Sequence, residues 1–439
     1  MAITLLASAS SAATVHTLAS GVEAILPRTG VLTSFEDSGI VGPVGGTANV
    51  WVEGAIYAND YGVRLYNASN LQLGAESLIV SAFRGVRMDQ DDGTVGAYGE
   101  IQAWRGIYVY GNHVEVMHAG SILAHERGIE MVGRGTVFNT GSIAALDAFG
   151  IGVEIWGFSG TRAPTLVNHG TISGAKSFGG DIDDRDVVRN FGTMIGDVDQ
   201  LGGDDLLRNG GLIDGDIHLQ DGEDVLRNGG GEIQGDVSMS DDADRLHNGD
   251  GLIFGDVDMG GTADKVFNQG GAIHGDLTLG AGNDLYRGGK GSVVEGRIIG
   301  GDDNDTVVGG DGEDTVEGGG GFDVIRGKGG DDDLTGGAGL DTIVGGAGDD
   351  QMTGGSLSDV FRIGKHSGDD VITDFENEVD VIDLTRLSIT GTGKVAQVQA
   401  AAHDVAGGSI IDLDALGGDG SLELQGFFVA QYGGAEFIF

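Results

Sequence analysis

Residues 300–362 read GGDDNDTVV, GGDGEDTVE, GGGGFDVIR, GKGGDDDLT, GGAGLDTIV, GGAGDDQMT and GGSLSDVFR, seven nonapeptides in succession without a slip in register. The sixth position is always aspartate: Asp305, Asp314, Asp323, Asp332, Asp341, Asp350 and Asp359. The eighth is always apolar: Val307, Val316, Ile325, Leu334, Ile343, Met352 and Phe361. Glycine opens each unit, as at Gly300, Gly309, Gly318, Gly327, Gly336 and Gly345. A flexible linker has no use for an apolar residue at every ninth position, so this stretch is expected to fold.

The glycine- and aspartate-rich nonapeptide resembles the repeat of the RTX (repeat-in-toxin) family, a calcium-binding parallel β-helix. The resemblance covers 63 of 439 residues. It implies calcium as the cofactor, and export through a type I secretion apparatus. The residue chemistry agrees. Calcium takes six to eight oxygens at about 2.3–2.6 Å. Glycine lets a turn adopt positive φ and aim several carbonyls at one point, and the aspartate supplies charge. Two nonapeptides make a coil of 18 residues, so alternate turns stack about 4.8 Å apart with room for cations between them. Without a cation the stacked carboxylates repel, at roughly a kcal/mol or more each. Folding and metal binding are then one equilibrium, poised to remain unfolded inside a calcium-poor cell and to fold outside. Lys328 and Leu357 stand where glycine is expected and weaken individual sites.

The repeat reaches upstream with a longer period. Asp186-Val-Val-Arg-Asn190 recurs from Asp205, Asp224, Asp244 and Asp264, and incompletely from Asp284, in steps of 19 or 20 residues. These aspartates run in step with Asp305, so Asp205, Asp224, Asp244, Asp264 and Asp284 are candidate calcium ligands, as is Asp370 in the segment Gly368–Phe375 that resembles the close of an RTX block. Earlier still, Gly-apolar-x-apolar recurs at Gly62, Gly85, Gly106, Gly128 and Gly152, in steps of 21 to 24 residues. Alternating apolar and polar residues mark strands with one buried face, and a period in the low twenties marks a right-handed parallel β-helix. The expected fold is therefore all-β: a β-helix of 21–24 residues per coil over 50–180, a narrower one over 181–299 with two strands per coil, and the RTX β-roll over 300–362. A non-repeating cap is expected at 1–49. Strands, a short helix near Val395–Ala402 and a C-terminal export signal are expected in 363–439.

The bulk numbers fit one elongated repeat protein. Glycine is 86 of 439 residues, proline 3 and cysteine 0, and the net charge is −44. Such a surface repels nucleic acid and anionic lipid and calls for cations. No apolar run is long enough to span a membrane. The N-terminus lacks the basic region of a signal peptide, and the chain ends in Glu436-Phe437-Ile438-Phe439, similar to the end of type I substrates and equally a final strand.

Other residue series invite a reading. Asn139, Asn168, Asn190, Asn209, Asn228, Asn248 and Asn268 are expected to form a ladder of amides. Asp197, Asp216, Asp236, Asp256 and Asp276 are expected to face solvent, offset by Arg208 and Arg227 or by cations. His113, His118 and His125 fit no common metal motif. Trp51, Trp104 and Trp156 either pack or line one flank and stack on sugar. Function follows two lines. The first is a secreted, calcium-dependent structural or adhesive protein at the surface or in the matrix of a Gram-negative bacterium, assembling with itself or holding cell-surface polysaccharide. The second is a polysaccharide lyase or epimerase drawing on Tyr108, Tyr110, His113, Arg105, Arg127 and Asp89.

Overall fold

The computed structural model describes residues 2–439 apart from 7–8, 12–15, 20, 35–36, 45–46, 68, 90, 158–162 and 181–184. Phe35, in the expected cap, and Asp181, where the tighter repeat was expected to begin, lie outside the described residues. The chain divides into two compact units, residues 1–226 with 231–235, and residues 227–230 with 236–439. Each is a parallel β-solenoid.

In the first unit the wide coils have three faces. A typical coil runs through Thr94–Ala97 and then the long strand Glu100–Tyr110. That strand breaks register against its neighbours between Ala103 and Arg105, which turns one strand into two faces. The recurring glycine lies just past this corner. A Cβ on Gly106 would meet the carbonyl of Gly128 and the side chain of Ile122, so the coils approach too closely there for any other residue. Val95, Ile101, Ile107 and Val109 point inward and are buried. A residue stacks on its counterpart one coil away, as Ile101 does on Ile79 and Ile122.

Residues 1–49 showed no repeat in sequence, yet their described strands stack as coils do. Ala2–Leu5 pairs in parallel with Val22–Leu26, and that strand with Ala48–Val52. The coil from Val22 to Ala48 spans 26 residues and the one before it 20, so uneven turns conceal the period. The narrower coils also differ from expectation. They carry three strands, as in Leu206–Asn209, Leu212–Asp214 and Ile217–His218. Strands of two or three residues are too short for alternation to reveal.

In the second unit the three-stranded coils give way to two-stranded ones. Thr306–Val308 pairs with Val324–Gly329 at an offset of 18 residues, and Thr315–Gly321 with Asp333–Gly339. Each eighth-position residue, from Val307 to Phe361, is buried. The stack continues past Arg362. Val381–Asp383 lies on Val360–Arg362, and His366–Ile372 on Gln351–Ser356. The helix forms at Lys394–Ala401, and Phe437–Ile438 is a strand on Val381–Asp383. Among the described residues no helix is long and apolar enough to cross a membrane.

Candidate metal centre

The sixth-position aspartates lie inside the turns. Asp305, Asp323, Asp341 and Asp359 stack on one edge, and Asp314, Asp332 and Asp350 on the other; all are buried, none more than 5% exposed. Oδ1 of each, apart from Asp305 and Asp314 at the head of their series, accepts the backbone N–H of the aspartate 18 residues before it. Asp305 N donates to Asp323 at 2.8 Å, Asp323 N to Asp341 at 2.8 Å, and Asp314 N to Asp332 at 2.9 Å. The series close on Asp370, which accepts from Asp350, and on Asp380, which accepts from Asp359. Asp380 escaped the sequence reading, although Asp380-Val-Ile repeats the Asp370-Val-Ile pattern ten residues on.

The other oxygen is the informative one. Oδ2 of Asp305, Asp323, Asp332, Asp341, Asp350 and Asp359 is buried and has no hydrogen-bond donor. A buried carboxylate oxygen without a partner is costly. The first glycine of each nonapeptide opens space beside it. A Cβ built on Gly336 would lie 2.6 Å from Asp341 Oδ2 and 2.6 Å from the carbonyl of Gly354. On Gly318 it would lie 2.7 Å from Asp323 Oδ2 and 2.5 Å from Gly336 O. Each turn therefore offers a carboxylate oxygen and a backbone carbonyl around a cleared volume. Among the described residues no three acidic or histidine side chains converge, so a cation here draws further oxygens from the backbone. An all-oxygen set of this kind suits a hard cation such as calcium.

Burial holds these carboxyls above their ordinary range. It pushes Asp305 to about 7, Asp323 to about 6, Asp332 to about 8, Asp350 to about 6 and Asp359 to about 7, against the opposing N–H bonds. A metal-free turn at neutral pH is left with charge that it cannot solvate.

A family model described as the RTX calcium-binding nonapeptide repeat (4 copies) matches residues 296–325 and 326–361. These residues are RTX calcium-binding repeats. Among solved structures the chain is similar to the solution structure of the AlgE6R3 subunit from the Azotobacter vinelandii mannuronan C5-epimerase. The two are 28% identical over 31% of this chain and 79% of that one, with a TM-score of 0.23. No curated protein matches the chain.

The RTX repeats bind calcium, and the departures within them acquire a role. Lys328 sits at φ +82°. Its ammonium donates to the carbonyls of Gly288 and Gly309, both at 2.8 Å. Lys328 thus brings a fixed positive charge to the turn of Asp314, rather than merely removing a glycine. Leu357 is exposed and held at φ +83°. Left-handed backbone costs a branched residue about 1–2 kcal/mol. Leu357→Gly is expected to stabilise the calcium-loaded protein by about 1 kcal/mol, read as a raised melting midpoint in saturating calcium.

Upstream the aspartates keep the N–H bond and, at Asp205, Asp264 and Asp284, the buried Oδ2 without a donor. In the first unit Asp186 N donates to Asp205 Oδ1 and Asp205 N to Asp224 Oδ1; in the second Asp244 N donates to Asp264, Asp264 N to Asp284 and Asp284 N to Asp305. The cleared volume is missing. Five residues before Asp224, Asp244, Asp264 and Asp284, where the RTX repeats have glycine, stand Leu219, Met239, Met259 and Leu279, each fully buried; before Asp205 stands the buried amide of Gln200. An apolar side chain there fills the space and offers no oxygen. Burial pushes Asp205 to about 9 and Asp264 to about 8, the latter no higher than Asp332 of the RTX repeats.

The asparagines form the expected ladder in both units. Asn139 Nδ2 donates to Asn168 Oδ1 at 2.8 Å, Asn168 to Asn190 at 2.8 Å and Asn190 to Asn209 at 2.9 Å; Asn228 donates to Asn248 at 3.1 Å and Asn248 to Asn268 at 3.0 Å. His118, buried and kept neutral by burial, meets Asn139 at 2.7 Å. Where Gly288 replaces the next asparagine, the buried Tyr286 bonds Asn268 instead. Asn190 also donates to Leu212 O at 2.9 Å and accepts Gly192 N–H. Asn190→Ala strands several buried partners and is expected to cost about 2–4 kcal/mol in urea unfolding. The second aspartate series is half-buried to exposed, and its Oδ1 atoms accept the backbone N–H of the next coil, as Asp236 does from Asp256 and Asp276 from Arg297.

The remaining candidates lie apart. His113 pairs with Asp92, while His125 stacks on Trp104 and pairs with Asp147, so the three histidines share no site. Trp51, Trp104 and Trp156 fall on three different faces of their coils: Ala48–Val52, the corner of Glu100–Tyr110, and the end of Ile151–Trp156. Their rings lie at the surface, not in the core. Three of the lyase candidates, Arg105, Arg127 and Asp89, are engaged with other charged side chains. Arg105 binds Glu126 and Glu130, Arg127 binds Glu126 and Glu154, and Arg87 binds Asp89. The guanidiniums of Arg84 and Arg87 lie over the Tyr108 ring, whose phenol burial pushes up.

Proposed function

We propose that this chain is a secreted, calcium-dependent structural or adhesive protein of the cell surface or matrix, exported unfolded by a type I apparatus and folded on meeting calcium outside. The reading is carried by where its polar side chains are spent. Aspartates, asparagines and much of the Arg–Glu network of the wide coils, as in Arg105–Glu126 and Arg127–Glu154, bond from one coil to the next. That economy builds a stiff support. The calcium sites lie in the turns that close the coils, which suits a metal that permits folding.

The lyase or epimerase alternative needs an arginine free to neutralise a substrate carboxylate and a base with an accessible pKa. Arg105 and Arg127 are already neutralised by glutamates, and Tyr108 is pushed the wrong way for a base. The test is to add millimolar calcium to the purified chain, image it by electron microscopy and assay attachment to cells, with an alginate and pectate panel alongside. Ordered arrays or attachment without cleavage support the proposal. Turnover that disappears on Tyr108→Phe or His113→Ala sinks it.

A further inference from the structure

A trench crosses the wide coils of the first unit at the corner between their second and third faces. Two cavities, of about 410 Å³ and about 300 Å³, share the wall Val80-Ser81-Ala82 and so form one depression from Thr33 to Leu146. It crosses six stacked strand positions, a length of about 24 Å at one strand spacing per coil. The floor is made of small residues in register, Ala58, Ser81 and Ala103. The rims carry the rings of Tyr57, Trp104 and His125 and the amides of Asn59 and Gln102, with Leu123 and Leu146 between and beyond them.

On one rim Trp104, 43% exposed, lies in a stack with His125 at 5.3 Å and an interplanar angle of 14°. Its indole N–H is held by Glu126 at 2.9 Å, which fixes the ring's orientation. Tyr57 is 40% exposed on the opposite rim. Asn59, Ser81 and Gln102 add amides and a hydroxyl to the lining, and no lining residue is Asp, Glu, Lys or Arg.

We infer that this trench binds an extended, uncharged polysaccharide chain. Sugar rings present C–H faces that pack on fixed aromatic rings, and hydroxyls that exchange bonds with amides. The trench has both. A net charge of −44 repels polyanions, and the lining has no cation to recover them. The inference rests on the adhesive reading above and gives it a ligand.

The test uses the full chain in millimolar calcium, with cellohexaose, xylohexaose and maltohexaose as uncharged probes and hexagalacturonate as the charged one, followed by calorimetry and tryptophan fluorescence. The expected result is binding of at least one uncharged hexasaccharide and none of hexagalacturonate. Trp104→Ala is expected to weaken binding about tenfold, while Trp104→Phe retains most of it. Gln102→Glu, which places a charge in the lining without removing a ring, checks the result should Trp104→Ala disturb folding. No binding of any uncharged probe, binding of hexagalacturonate alone, or binding indifferent to Trp104→Ala, Tyr57→Ala and Gln102→Glu overturns the inference. So does a concentration-dependent dimer abolished by Trp104→Ala, which would make the trench a contact between copies. Cell attachment that survives Trp104→Ala, with no glycan bound, removes the trench inference and leaves the adhesive reading standing. Glycan binding by a chain that attaches to no cell does the reverse.

Discussion

Stripping calcium with a chelator at neutral pH is expected to abolish the β-structure of residues 300–362, read by circular dichroism and by hydrogen exchange resolved along the chain. Six carboxylate oxygens are buried there without donors, and an uncompensated buried charge costs several kcal/mol. That sum exceeds what a coil with one or two buried apolar residues per nonapeptide returns on folding. An unchanged spectrum with chelator present would refute calcium as the partner of these oxygens. Acid is expected to replace the metal in part. The folded carboxyls have pKa values above the ordinary 3.8, at about 6 for Asp323 and about 8 for Asp332. The folded metal-free form therefore binds protons more tightly than the unfolded chain. Its stability is fullest below about pH 4 and drains as pH rises through 6 to 8. In chelator, β-structure should be regained on acidification, whereas calcium affinity should rise with pH as protons are displaced. The upstream coils, whose aspartates lack the glycine-lined volume, should keep their hydrogen-exchange protection longer in chelator.

Gly336→Ala is expected to cost about 3 kcal/mol, the upper end for overpacking, and to lower calcium uptake. The added methyl would lie 2.6 Å from both Asp341 Oδ2 and the carbonyl of Gly354. Neither can swing away, since one belongs to a side chain pinned by a backbone N–H and the other to the backbone of the neighbouring coil. Gly320→Ala is the control. A Cβ there meets nothing within 4 Å, and its φ lies outside the left-handed region, so alanine is expected to be neutral or slightly stabilising. Both are glycines of the same repeat block, which composition cannot tell apart. Equal melting midpoints for the two variants, measured in saturating calcium, would contradict the clearance argument.

Much of this was legible in the chain itself. A strict ninefold spacing of aspartate and apolar residues leaves one way to fold, because only a coil of two nonapeptides puts every eighth residue inside. The asparagine ladder was equally plain, since a buried amide at a constant step must bond to its own copy. The first 49 residues were not legible, because uneven turns between Val22 and Ala48 hide a period from any count. The third strand of the middle coils was hidden by its length of two residues, as at Val237–Ser238.

The sequence by itself determined the solenoid, its shortening coils and the calcium-binding turns, because those depend on spacing along one chain. Only the tertiary structure decided which aspartates have room for a cation, since that depends on what a neighbouring residue leaves empty. Gly336 clears a volume beside Asp341, whereas a buried Leu279 stands at the matching place before Asp284. It also decided that Lys328 bonds two stacked carbonyls, and that residues from Tyr57 to His125, spread over three coils and more, meet in one trench. Those are facts of side-chain volume and direction, which a repeat period does not encode.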